Sequence, residues 1–140
     1  MERTFVILKP DVIRRRLVGE IILRLERKEL VITDAKVLTI DRTTAEEHYR
    51  HVDHLPFFQD IINYMTSGPS IAMIISGEKA ISIVRNMIGK ANALESPPGS
   101  IRGDFGMCAN ENLIHASDSQ ENAAIEIARF FAERDFEFDS

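Results

Sequence analysis

Thr4-Phe-Val-Ile-Leu8-Lys9-Pro10 is the stretch on which the fold turns. Its apolar run has the length and β-branched, aromatic character of a strand buried on both faces. Pro10 has no N–H to give to a ladder, so the strand ends there and leaves Lys9 at its C-terminal tip. A strand hidden on both sides needs other layers against each face. The rest of the chain has the elements to supply them.

Val18, Ile21, Ile22 and Leu25 recur at helical spacing and predict an amphipathic helix over roughly 17–29. A half-alternating run from about Leu30 to Ile40 predicts a second strand, stopped by Asp41. Thr44-Ala-Glu-Glu47 fits a capping box opening a helix that carries His48 and Tyr49. Pro56 suits the first turn of another helix, which stops near Ser67-Gly68-Pro69. Ile71 to Ile75 reads as a third buried strand. Ala80, Ile81, Val84, Met87 and Ile88 then mark a helix closed by Gly89. From Gly89 to about Glu111 no periodicity is visible, and so long an aperiodic stretch in a compact domain is usually functional or disordered. Asn112 to His115 forms a short last strand, Ser117-Asp118-Ser119 offers helix caps, and Ala123, Ile127, Phe130 and Phe131 form the inward stripe of a final helix. An acidic tail runs from Glu133 to Ser140.

This order of elements predicts a single α/β (α+β) domain over residues 1–140. The expected architecture is a ferredoxin-like split βαβ sandwich, with a four-stranded antiparallel sheet covered by helices. A chain of 140 residues, 44% apolar and 28% charged, has the composition of a globular protein with one core. Cys108 is the only cysteine, so no internal disulfide forms, which suits a reducing compartment. The N-terminal apolar run is too short for a signal peptide, and nothing approaches the ~20 apolar residues of a membrane span. A cytoplasmic protein without membrane contact is expected. A net charge of −5 speaks against a general nucleic-acid coat, though not against binding one small phosphate ester.

The chemistry collects around Asn112-Leu-Ile-His-Ala-Ser-Asp-Ser119. His115 stands at a strand's C-terminal end just before a helix, an edge where ligands gather in α/β folds. By position alone, a core histidine satisfied by hydrogen bonds is the plainer reading. Ser117 and Glu126 shift the balance. A carboxylate backed by a hydroxyl can hold one imidazole nitrogen and leave the other free as a nucleophile. Lys9, Arg85 and Arg102 are candidate phosphate grips, Arg by its fork and Lys as a point charge. Each taken singly reads as a solvated or ion-paired side chain.

Neither a P-loop nor the protein-kinase motifs are present, so any triphosphate chemistry takes another route, of which a covalent histidine is one. His48, His51 and His54, spaced by three, cannot share one helical face well and read as a polar face running into a turn. A metal enzyme built on them is one alternative class. A non-catalytic regulatory or RNA-binding domain of the same architecture is the other, although no aromatic RNA-recognition signature occurs. Arg14-Arg15-Arg16 reads as solvent-facing charge, and Arg102-Gly103-Asp104 as an adhesion tripeptide with no partner to meet.

Taken together, the segments ERTFVILKPD, LVGEI, HY followed by PFF, YMTSGP, PGSIRGDF and NLIHASDS resemble the nucleoside diphosphate kinase family, from Glu2 almost to Phe131. The resemblance implies transfer of a γ-phosphate from a nucleoside triphosphate to a nucleoside diphosphate, by a ping-pong route through a phosphohistidine at His115, attacking through its δ nitrogen. It further implies that Glu126 and Ser117 orient that ring. Lys9, Tyr49, Arg85 and Arg102 would surround the transferred phosphate and the sugar, with Asn112 on the sugar hydroxyl. Phe57 would stack on the base and Ile61 would be its apolar partner, which leads to broad base specificity. Magnesium (Mg2+) is implied between the distal phosphates rather than in a protein cage. The implied partners are nucleoside di- and triphosphates and copies of the chain itself, as tetramers or hexamers built from dimers, with no specific nucleic acid. Ala91 stands where the family commonly has a phosphate-touching threonine, Ala93 where it has a loop proline and Ala116 where it has a glycine. Val12 and Arg16 likewise replace frequent glycines or small residues.

Overall fold

The computed structural model describes residues 1–109 and 111–131; the acidic tail expected from Glu133 lies outside them. In chain order the elements are β1 (Glu2–Leu8), α1 (Pro10–Arg14), α2 (Val18–Arg27), β2 (Val31–Leu38), α3 (Arg42–His48), α4 (Phe58–Met65), β3 (Ser70–Gly77), α5 (Ala80–Ile88), α6 (Ile101–Phe105), β4 (Ile114–Ala116) and α7 (Gln120–Phe130). Short 3₁₀ turns lie at Arg50–Val52 and Ala93–Glu95.

The four strands form one sheet in the order β2-β3-β1-β4, with every neighbouring pair antiparallel. This is the split βαβ arrangement expected. β1 lies inside the sheet, and Phe5, Val6, Ile7 and Leu8 are all sealed from solvent. Its side chains alternate between two cores. Val6 and Leu8 join Met73 and Ile75 of β3 under α2 and α5, where Ile21, Leu25, Val84 and Ile88 are inward. Phe5 and Ile7 join Ala72 and Ile74 under α3, α4 and α7, where Ala45, Ile62, Met65, Ile127 and Phe130 close the layer. β2 at the edge is less covered: Val31 and Val37 are exposed.

The differences from the sequence reading are local. Asp41, rather than Thr44, caps α3: its carboxylate accepts from the Thr44 amide at 2.7 Å, so the helix starts three residues earlier. Tyr49 follows α3 as its C-cap, and α4 begins at Phe58 rather than Pro56. α1 and α6 have five residues each, too few for an apolar period to show, so both were invisible as patterns. Over its described residues, the aperiodic stretch after Gly89 contains a 3₁₀ turn and α6. Gly89 itself sits at φ +91°, and a Cβ there would lie 2.7 Å from the Ser100 hydroxyl, so both turn and contact call for glycine.

Ile74 lies on the inner strand β3 with no solvent exposure. Ile74→Ala is expected to lower the unfolding free energy by about 2–5 kcal/mol, by lost burial and the cavity left behind. Urea titration followed by circular dichroism checks this, and a loss below ~1 kcal/mol would show a looser core.

Candidate active site

Pairing in the sheet sets where His115 stands. β4 is only three residues long, and His115 lies directly across from Ile7 of β1. Residues opposed across an antiparallel pair share a face, so His115 belongs to the side of Phe5 and Ile7, its ring 6.1 Å from that of Phe5. The strand is held at both ends: Lys9 N donates to Leu113 O at 2.8 Å, and Ser117 N to Phe5 O at 3.1 Å. The chain enters β4 through a tight reversal. Ile114 N donates back to Asn112 O at 2.8 Å, while buried Leu113 adopts φ +73°. A left-handed leucine costs on the order of 1–3 kcal/mol and persists where its surroundings enforce it.

The imidazole of His115 is half-buried, and its Nε2 lies 2.9 Å from Glu126 Oε1 on α7. A carboxylate only accepts, so Nε2 carries the proton and Nδ1 keeps its lone pair. Ser117 Oγ donates to the same Glu126 oxygen at 2.6 Å, so the hydroxyl backs the carboxylate as the sequence suggested. Burial holds the His115 pKa below its ordinary range; the hydrogen bond and charge of Glu126 pull it up, and Lys9 and Arg102 push it down.

Cations lie nearby. Lys9 is buried at the end of β1, donates to Asn112 Oδ1 at 2.6 Å, and has Tyr49 and Tyr64 rings 6.0 and 5.8 Å from its Nζ. Burial and then Arg102 lower its pKa to about 7, while Asp11 opposes them. Asp11 in turn accepts from the Tyr64 hydroxyl. Asn112 also donates to the Ala91 carbonyl at 2.8 Å. Arg85 reaches the Ala116 carbonyl at 3.2 Å. Arg102 is buried and differs from a free phosphate grip. Its guanidinium donates to the carbonyls of Asn112 (3.2 Å), Gly89 (3.4 Å) and Ile114 (2.5 Å), stapling the connection after α5 to β4.

Tyr49 lies in the same neighbourhood, its hydroxyl buried without a hydrogen-bond partner among the described residues. Phe57, partly exposed, is the N-cap of α4, and Ile61 follows one turn on. Neither shares a hydrogen bond or ring contact with the His115 cluster. A cleft of about 560 Å³ adjoins His115 and is bounded also by Glu47, His48, His51, Arg85 and Asp118.

His48 is the residue the sequence reading missed. It closes α3, is buried, and sets its ring edge-to-face against His115 with centroids 4.6 Å apart. His51 falls in the following 3₁₀ turn and His54 beyond it, so the three do not converge. Ligand atoms of His48, His115 and Glu126 do lie within 4.8 Å of one another. Two of those groups are already engaged, His48 Nδ1 by Arg129 and Glu126 by His115 and Ser117. Asp118 is likewise bonded to Asn122 at 2.6 Å. A hard divalent cation, which wants free oxygen ligands, therefore has no cage among these groups.

The family described as "Nucleoside diphosphate kinase" matches residues 2–136. A nucleoside diphosphate kinase of Acetivibrio thermocellus is 56% identical over 135 residues, covering 96% of this chain and 99% of that relative. One of Methanocaldococcus jannaschii is 51% identical, covering 94% of each. Among solved structures, the nucleoside diphosphate kinase of Encephalitozoon cuniculi superposes with a TM-score of 0.93 at 42% identity, over 95% of this chain and 90% of that one. That of Halobacterium salinarum, in complex with CDP, gives 0.92 at 42% identity over 96% and 90%.

An NMR titration of His115 is expected to show a midpoint below 6.5, the ordinary value. Glu126→Gln removes a charge that favours the protonated ring, so it lowers the midpoint further. A midpoint above 6.5, or a rise in the variant, would contradict this geometry.

Proposed function

The chain belongs to the nucleoside diphosphate kinase family and is a phosphotransferase that moves the γ-phosphate of a nucleoside triphosphate to a nucleoside diphosphate, and from that premise we propose that His115 carries the phosphate between the two. The observation behind this reading is the tautomer: Nε2 is bonded to Glu126 at 2.9 Å, which leaves the Nδ1 lone pair for attack.

In the first half-reaction Nδ1 attacks the γ-phosphorus. The N–P bond forms as the bond to the bridging oxygen breaks, and the nucleoside diphosphate departs with that electron pair. The Nε2 proton stays on the ring, where Glu126 balances the positive charge that develops, and Ser117 keeps the carboxylate in place. A terminal oxygen of the second nucleoside diphosphate then attacks the same phosphorus, and the N–P electrons return to the imidazole. The first product leaves before the second substrate binds, which gives ping-pong kinetics.

Lys9, Arg85 and the unpartnered Tyr49 hydroxyl serve the phosphates. Arg102 shapes the loop and offers its remaining N–H groups. Asn112 and Lys9 meet the sugar hydroxyl. Phe57 and Ile61 take the base between apolar surfaces, and stacking without edge recognition tolerates every base. The family works with a divalent cation. We take it as Mg2+ bound to the nucleotide, where it neutralises the distal phosphates.

Residues 1–140 act as one catalytic domain on nucleoside di- and triphosphates in the cytoplasm, consistent with the free, exposed Cys108. Among the described residues no helix is long and apolar enough to cross a membrane. The chain forms homo-oligomers in this reading, tetramers or hexamers built from dimers, and the exposed Val31 and Val37 of the β2 edge are apolar surface open to such a contact.

With ATP, GDP and Mg2+, the protein is expected to produce GTP, and His115→Ala to lower turnover by about three orders of magnitude or more with an unchanged circular-dichroism spectrum. Turnover within ~tenfold of the parent would remove His115 from the mechanism. Phe57→Ala should raise KM for ATP and GTP alike, by about fivefold or more; an effect on only one would mean that the base edge is read.

A further inference from the structure

α7 presents two charged side chains of opposite sign one turn apart, and each holds a different histidine. Glu126 takes the Nε2–H of His115 at 2.9 Å. Arg129 reaches Nδ1 of His48 with Nη1 at 2.9 Å, and its Nε approaches Glu47 at 3.5 Å. A guanidinium only donates. Nδ1 of His48 must therefore accept, so its proton sits on Nε2. His48 is buried, and its ring edge-packs against His115, Tyr49 and Phe130.

We propose that Arg129 is a positioning residue, which locks His48 as the neutral Nε2–H tautomer and so keeps a second proton off its Nδ1, the nitrogen that faces the helix carrying Glu126. The inference rests on the reading of His115 as the phosphate carrier. The three groups are close neighbours: ligand atoms of His48, His115 and Glu126 lie within 4.8 Å of one another. A protonated His48 would put a positive charge against the attacking ring.

The charged groups around His48 oppose its protonation from most sides. Arg129 faces it from α7, His115 from β4, Lys9 from the end of β1 and His51 from the 3₁₀ turn, while Glu126 and, on its own helix, Glu47 are acidic groups nearby. Burial, with His115 and Arg129 following, lowers the His48 pKa to about 2. Removing Arg129 takes away both a donor to Nδ1 and a repelling cation. The sign is therefore upward: His48 would take a proton at a higher pH than before.

Two measurements test this, and they fail separately from the phosphohistidine reading. In the intact protein, ¹⁵N NMR of histidine should show His48 neutral with its proton on Nε2 down to pH 5. A proton on Nδ1, or titration between pH 5 and 7, would overturn the lock whichever residue carries phosphate. In kinetics, Arg129→Met should raise the ratio of kcat/KM at pH 8 to that at pH 6 above the parent's, by up to about fourfold, the limit for a His48 released to its ordinary value near 6.5. Arg129→Lys, which restores a donor and a cation, should bring the ratio most of the way back. An equal loss at both pH values, unrelieved by lysine, would make Arg129 merely structural and overturn the proposal.

Discussion

The 2.9 Å hydrogen bond between His115 Nε2 and Glu126 is the contact on which the proposed chemistry depends. An imidazole free to exchange tautomers would offer its lone pair at either nitrogen and aim neither. Here the carboxylate takes the proton-bearing side, and Ser117 holds that carboxylate from behind at 2.6 Å. The fold supplies the precision. His115 is registered against Ile7 in an inner strand, Glu126 projects from a helix packed on Phe5 and Ile74, and the strained turn at Leu113 delivers the chain into β4. A site whose reacting ring is fixed by sheet register and core packing needs little rearrangement when charge develops on it.

Net charge and local charge point in opposite directions. The chain carries −5 overall, yet Lys9, Arg85 and Arg102 all lie around β4 and the end of β1. Burial first, and then repulsion from neighbouring cations, depress Lys9 and Arg102, the latter to about 10. That cost is what a polyanionic ligand would relieve. Buried cations with few carboxylates free to pair with them form a strong electrostatic trap for phosphate.

Much of this was legible in the sequence, for identifiable reasons. β1, β3, α5 and α7 have apolar patterns long enough to read, and Gly89 and the Ser119 cap mark their limits. His115, Ser117 and Glu126 were readable as a trio because strand end, cap and helix stripe are sequence-local. What was not legible depended on distance in the chain. Arg102 looked like a ligand-facing charge and is largely bound to three carbonyls of segments that only the fold brings together. His48 looked like one of three polar histidines and is buried against His115, because α3 and β4 meet only through the core. The cue present was the spacing of Arg129 from Glu126, a single helical turn on one face of α7. α1 and α6 were lost for a simpler reason: five residues do not complete enough turns to show a period.

The most direct test of the account is to incubate the protein with γ-labelled ATP in the absence of acceptor and locate the label. A base-stable, acid-labile phosphate on Nδ1 of His115, released as GTP when GDP is added, is the result the geometry predicts. Label on another residue, on Nε2, or on an adduct that does not pass to GDP would contradict it.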